Sequence, residues 1–158
     1  MLGHMPLDLS SFVATLLSLL GVEGTVELKT GHRTVAKVSS PESARLIGEK
    51  GESLRALNTV ARRLVEQKHG EEAANFLIDV NGYHETQMER VRQNARMLAQ
   101  RARLFKHDVE LAPQSAYERL VVHELFAEDP EIKTESAGEG KFRHIVLKYR
   151  TQPLATSH

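Results

Sequence analysis

The chain has 158 residues, of which 41% are hydrophobic and 27% charged, a composition typical of folded globular domains rather than of disordered chains. It contains no cysteine, which excludes disulfides and thiolate metal sites. The 21 basic and 21 acidic residues cancel, but six basic and no acidic residues lie between Arg90 and His107, so overall neutrality conceals a local basic stretch.

The first half of the chain predicts the order helix, strand, strand, helix, helix, strand. Apolar residues at helical spacing over residues 8–20 predict the first helix, which Gly21 can end. The apolar run from Phe12 to Leu20 is too short to span a bilayer, so no stable membrane insertion is expected. The other predicted elements are strands at residues 25–29, 34–39 and 75–80, and helices at residues 41–47 and from the position after Gly51 to about residue 69.

The second half predicts a long helix over residues 84–105 and a shorter one over residues 115–127. Apolar side chains of the long helix alternate spacings of three and four, which predicts one buried seam. The seam consists of Met88, Val91, Ala95, Leu98, Ala102 and Phe105. Strands are predicted at residues 108–111, 131–136 and 142–149, and a disordered tail at residues 151–158. This is an α+β fold with a domain boundary near Gly82.

Two glycines bracket the predicted junction between the second and third helices. Gly48 and Gly51 permit a sharp turn and the close approach of another backbone, while the third helix directs the positive end of its dipole into this loop. Lys50 adds a mobile positive charge, whereas Glu49 opposes anion binding. Alone, a Gly-x-x-Gly pattern also occurs in ordinary turns.

The stretch from Arg45 to Leu54, preceded by helix, strand and strand, resembles the KH family in its type II arrangement (αββααβ). The resemblance implies a KH domain over residues 6–82, in which the loop clamps the backbone of about four nucleotides. The residues that the resemblance assigns to the clamp are Gly48, Glu49, Lys50 and Gly51. Arg45 and Arg55 are further candidates for RNA binding, because they would offset the loop's acidic residues if they line the same groove.

A second candidate site lies in the helix predicted over residues 115–127. Arg119 and His123 are four residues apart and therefore share a helix face. Arginine can hold a phosphate bidentately, and histidine can donate a hydrogen bond or stack on a base. A solvated helix face carrying no ligand has the same pattern, so the pair alone decides nothing.

The surroundings of this pair resemble an R-three-H domain. The resemblance is carried by Pro113, by Tyr117 directly before Glu118-Arg119, and by the segment from Thr134 to Gly140. It implies a domain over residues 83–150, built as a long helix followed by βαββ, that binds single-stranded nucleic acid. By this resemblance Arg119 and His123 are the contact residues and Arg143 assists.

A KH domain followed by an R-three-H domain is the arrangement of the bacterial Jag family (SpoIIIJ-associated, KhpB-type), which the chain resembles over residues 9–150. The resemblance implies a cytoplasmic single-stranded RNA-binding protein that regulates gene expression or cell elongation, with a small single-KH protein as a partner. Two positions depart from the family pattern: Leu120 replaces a common second arginine, and Gln114 replaces a common methionine.

The long helix joining the two predicted domains carries further candidate residues. Arg92 and Arg96 share a helix face and are predicted to contact the RNA strand between the two sites. A solvated helix surface is the competing interpretation of the same arginines.

The sequence also bears on two other function classes. A protein-interaction module on a KH scaffold that has lost most RNA binding would suit the acidic residues Glu49 and Glu52 near the loop. An enzyme is not expected, because no His-Glu-x-x-His pattern, phosphate-binding loop or cysteine nucleophile is present. Neither a cofactor nor a metal is expected.

Overall fold

The computed structural model describes residues 6–151, which fall into two compact units divided between His84 and Glu85. The tail predicted over residues 151–158 lies outside the described residues, apart from Thr151. Both units mix helices and strands, so the α+β class is confirmed. No helix within residues 6–151 combines the length and apolar character needed to cross a membrane.

The first unit has the element order helix, strand, strand, helix, helix, strand. Its elements are α1 (Leu9–Leu19), β1 (Thr25–Lys29), β2 (Thr34–Ser39), α2 (Ser43–Ile47), α3 (Glu52–His69) and β3 (Phe76–Val80). In the sheet order β1-β2-β3, β2 pairs antiparallel with β1 and parallel with β3. The side chains that alternate onto one sheet face pack against the helices and form the core, which includes Val13, Ala36, Val38, Ala61 and Ile78.

Side chains of α3 form hydrogen bonds with backbone N–H and C=O groups along the outer edge of β3. The buried Asn58 side chain accepts from the Ile78 N–H at 2.8 Å and donates to the Ile78 carbonyl at 2.9 Å. Arg62 Nε donates to the Phe76 carbonyl at 3.0 Å. Burial of this guanidinium, and secondarily its neighbour Arg33, lowers the pKa of Arg62. These contacts fix α3, and with it the loop before α3, against the sheet.

Within the described residues 85–151, the second unit contains three strands, two α-helices and a short 3-10 helix (Gly140–Phe142). The strands and α-helices are α4 (Tyr83–Phe105, of which residues from Glu85 belong to this unit), β4 (Val109–Glu110), α5 (Ala116–Leu125), β5 (Ile132–Ala137) and β6 (His144–Tyr149). The sheet order is β4-β6-β5, with both pairings antiparallel. The core includes Ala95, Ala99 and Ala102 of α4 together with Val122 of α5 and Ile145 of β6.

The predicted elements are confirmed, with ends that differ by no more than two residues. The predicted buried seam of α4 is wrong at Phe105, which is 59% exposed, and it omitted the fully buried Ala99. The reason is geometric: in a straight helix a repeat of three and four residues drifts by about 20° per seven residues. Phe105, at the end of the helix, has therefore rotated off the buried stripe that Ala95 and Ala102 define.

Candidate functional site

The loop between α2 and α3 needs glycine at both bracketing positions. Gly48 has φ +70°, and a Cβ there would lie 2.2 Å from Ser53 Oγ. Gly51 has φ +78°, is buried, and a Cβ there would lie 2.9 Å from the Tyr83 ring. Both glycines therefore combine a left-handed backbone with a close approach. The turn between them leaves Glu49 and Lys50 exposed at its tip.

Lys50 is itself in the left-handed region, with φ +50°. Arg55 Nη1 donates to the Lys50 carbonyl at 2.9 Å, so this arginine holds the tip of the loop from the first turn of α3. Gly51 is the N-cap of α3 and has no side chain to accept from the first-turn N–H groups. An external anion can take the place of such an acceptor at a helix start.

Arg45 is directed to acceptors within the first unit. Its Nη1 lies 3.1 Å from Glu42 Oε1, and its Nη2 donates to the Leu20 carbonyl at 3.3 Å. The pair with Glu42 is exposed, and exposed ion pairs contribute about 0–1 kcal/mol. A phosphate could therefore compete with Glu42 for this guanidinium at little energetic cost.

The start of α5 is fixed by a capping box. Ser115 Oγ accepts from the Glu118 N–H at 3.3 Å, and the Ser115 N–H donates to Glu118 Oε2 at 2.6 Å. One turn further, Arg119 Nη1 donates to the Gln114 carbonyl at 2.8 Å. This contact folds the guanidinium back toward the start of the helix and leaves its other N–H donors for a ligand.

Gln114 connects this helix start to β6. Its N–H donates to the Arg143 carbonyl at 3.0 Å, and its Oε1 accepts from the Ile145 N–H at 3.3 Å. Gln114 thus contacts both the Arg119 guanidinium and the backbone of Arg143. The Arg143 side chain is exposed and has no hydrogen bond or ion pair within residues 6–151. Sequence reasoning noted Gln114 only as a departure from a pattern and missed its positioning role.

His123 lies under β5, half-buried, with both ring nitrogens near hydroxyls. Nδ1 is 2.6 Å from Thr134 Oγ1, and Nε2 is 3.2 Å from Ser136 Oγ. Thr134 and Ser136 are two residues apart on β5 and so share a sheet face. A hydroxyl can donate or accept, so the pair suits either tautomer of the ring. What His123 can still offer a ligand is the face of the ring rather than its edge.

The predicted contact residues of α4 both lie beside an acidic residue. Arg92 Nη1 is 3.4 Å from Glu89 Oε2, and Arg96 Nη1 is 3.3 Å from Glu89 Oε1. Arg103 of the same helix contacts Asp129 and, at 3.1 Å, Glu131, which ties α4 to the segment before β5. The basic stretch is therefore partly neutralised by acidic residues outside it.

Comparison with known proteins decides the nature of the second unit. Residues 86–149 match the family model of the R-three-H domain. The chain contains an R-three-H domain. Within this domain lie Arg119, His123, Gln114 and Arg143, together with the β5 hydroxyls that hold the histidine ring. Within residues 6–151, no three His, Asp or Glu side chains are grouped so as to hold a metal ion.

The chain is also similar to three bacterial proteins, each named RNA-binding protein KhpB. It is 27% identical to that of Bacillus subtilis (strain 168) over 142 residues, covering 88% of this chain and 68% of the relative. The relative from Clostridium symbiosum is 29% identical over 107 residues, covering 68% of this chain and 48% of the relative. The relative from Lactiplantibacillus plantarum is 24% identical over 143 residues, covering 90% of this chain and 44% of the relative. The chain thus spans about two thirds of the first relative and less than half of the other two.

Proposed function

We propose that this chain is a single-stranded RNA-binding protein of the Jag (KhpB) type, with a type II KH domain as its first unit. The observation that carries the proposal is that Gln114 contacts both the Arg119 guanidinium and the Arg143 backbone, within residues matched to the R-three-H family. The names of the three relatives point to the same ligand. The interaction-module alternative has no comparable support, and no enzymatic activity is part of the proposal.

The first unit supports the KH assignment by its topology and its loop. The order of its elements and a three-stranded sheet with one parallel pairing agree with the type II arrangement that the sequence resembles. In the loop, Gly48 and Gly51 let the RNA backbone approach, Lys50 supplies charge, and the uncapped start of α3 offers N–H groups to a phosphate.

In the R-three-H domain, binding is divided between charge and stacking. Arg119 and Arg143 attract the phosphates, and the face of His123 stacks on a base. Arg92 and Arg96 add charge when a phosphate displaces Glu89 from them. A cytoplasmic location, a regulatory role and a small single-KH partner protein stay predictions that rest on the resemblance.

Binding of a fluorescent single-stranded RNA of about 12 nucleotides, followed by anisotropy at low and moderate salt, tests the proposal. We expect affinity to fall as salt rises, because phosphate contacts release counterions. Arg119→Ala should weaken binding, as should the double variant Glu49→Asp with Lys50→Asp. Lys68→Asp, an exposed charge reversal near the end of α3, is the matched control and should change affinity less.

Each failure has a distinct meaning. If the wild type does not bind, the proposed function is wrong. If Arg119→Ala alone weakens binding, the first unit does not hold RNA and its assignment as an RNA-binding KH domain is wrong. Affinity that is unchanged between the two salt concentrations would contradict the phosphate contacts.

A further inference from the structure

An exposed aromatic pair lies at the carboxyl end of α4, where no candidate residue was predicted for RNA binding. Phe105 ends the helix and is 59% exposed. Its ring stacks on that of His107, with 5.9 Å between centroids and 13° between the ring planes. Phe105 takes no part in the hydrophobic core of the second unit, so packing does not account for a large aromatic side chain at this position.

The backbone holds this pair in a left-handed turn. Lys106, between the two rings, has φ +53°, and the His107 N–H donates to the Ala102 carbonyl at 3.3 Å to close the helix. Glycine is the residue that adopts this conformation without strain, so a lysine here carries a local conformational cost. His107 Nδ1 also contacts the Asp108 carbonyl at 2.8 Å, which fixes the orientation of the ring.

The charge around the pair is positive. Arg101 is four residues before Phe105 and therefore on the same helix face. Neither Arg101 nor Lys106 has an ion pair within residues 6–151, and both are exposed. The nearest acidic residue in sequence, Asp108, is engaged by Lys148 at 3.6 Å and by the Tyr149 N–H at 3.0 Å. Stacked rings flanked by unpaired cations match the chemistry of a base and its adjoining phosphates.

We propose that Arg101, Phe105, Lys106 and His107, called here the helix-end platform, form a further single-stranded nucleic-acid contact of the R-three-H domain. A base stacks on the aromatic pair, and Arg101 and Lys106 hold the phosphates on either side of it. The inference rests on the proposed RNA-binding function. It adds a site that neither Arg119 nor His123 belongs to.

The platform and the Arg119 site lie at opposite ends of the same sheet. Asp108, next to the platform, contacts the last residue of β6, Tyr149, whereas Gln114 contacts Arg143, just before β6 begins. Arg143 and Tyr149 are six positions apart in extended chain, which corresponds to roughly 20 Å. An RNA strand that reaches both sites must run along the domain. The platform therefore contributes to the binding of long RNA and little to the binding of very short RNA.

The chain has no tryptophan, which permits a direct test. Phe105→Trp places a single fluorophore on the platform, and stacking of a base should quench its emission when oligouridine of about 12 nucleotides is added. Leu19→Trp is the matched control: Leu19 is 78% exposed at the end of α1, where the last turn holds no basic residue, and its emission should not change.

Two further variants give affinity readouts. Phe105→Ala should weaken binding of the long oligouridine by about fivefold or more and leave a tetranucleotide unaffected. Lys106→Gly should relax the turn and raise the thermal midpoint, yet weaken RNA binding because a cation is lost. A lysine with a structural role alone would give the higher midpoint with unchanged affinity.

The outcomes separate this inference from the function on which it rests. If the wild type binds RNA but Phe105→Trp is not quenched and Phe105→Ala binds normally, the platform is not a nucleic-acid site and the proposed function stands. If the wild type binds no RNA, the proposed function and the platform are both wrong. Quenching of Phe105→Trp with a length-dependent loss in Phe105→Ala supports the platform.

Discussion

The N–H of Gln114 donates to the carbonyl of Arg143 at 3.0 Å, which joins the start of α5 to the start of β6. The carbonyl of the same residue accepts from the Arg119 guanidinium, so the two arginines are positioned by one backbone segment rather than by contact with each other. Their common placement therefore depends on how firmly Gln114 is held, and its side chain provides part of that anchor through the Ile145 N–H.

Gln114→Met keeps the length of the side chain and removes its acceptor. We expect the free energy of unfolding to fall by about 0.5–1.5 kcal/mol, because the Ile145 N–H loses its partner. Urea denaturation measures this change. Gln93→Met, at an exposed position of α4, serves as the control and should stay within about 0.5 kcal/mol of the wild type. Equal stability of the two variants would contradict the anchoring role.

Two substitutions of His123 distinguish stacking by the face of the ring from hydrogen bonding by its nitrogens. His123→Phe keeps an aromatic face but gives nothing to Thr134 and Ser136, so stability should fall by about 1–3 kcal/mol. RNA affinity should fall less in His123→Phe than in His123→Ala, because only the former can stack. Equal loss of affinity in the two variants, measured by anisotropy, would show that a ring nitrogen contacts the RNA instead.

The positions of helices and strands were predictable because local signals set them. Gly21 follows the end of α1, Gly70 is the C-cap of α3, and these signals do not depend on the rest of the fold. The partners of the candidate residues could not be found this way. His123 contacts Thr134 and Ser136 only because β5 packs on α5, eleven and thirteen residues away along the chain. The exposure of Phe105 likewise depends on how far the three-and-four repeat drifts around the axis of a straight helix.

Acid should weaken the start of α1. Asp8 accepts from the Ser11 N–H at 3.1 Å and from Ser11 Oγ at 2.7 Å, and these hydrogen bonds lower the pKa of the Asp8 carboxyl below its ordinary value of 3.8. A depressed folded-state pKa adds stability above pH 3.8, and this stability is lost as the pH falls through the lower folded value. Asp8→Asn should therefore show a flatter decline of unfolding free energy below pH 3.8. Parallel curves for the two proteins would contradict the contribution of Asp8.

The close contact between Gly51 and Tyr83 makes the loop sensitive to a single methyl group. Gly51→Ala should reduce the free energy of unfolding by at least about 2 kcal/mol, from left-handed strain together with overlap on the Tyr83 ring. Gly21→Ala is the matched control, because Gly21 has φ +67° but nothing within 4 Å of a new Cβ, so only the strain applies.

A double-mutant cycle isolates the contact with the ring. Tyr83→Ala removes the overlapping atoms, so Gly51→Ala should cost less in that background than in the wild type, and about as much as Gly21→Ala does. The loss of stability is measured by urea denaturation in all five proteins. If Gly51→Ala costs the same with and without the Tyr83 ring, the glycine is needed for its backbone conformation alone, and the ring does not define the loop. If Gly51→Ala costs less stability once the ring is removed, the Tyr83 ring limits the space beside Gly51 in the loop on which the proposed phosphate contact depends.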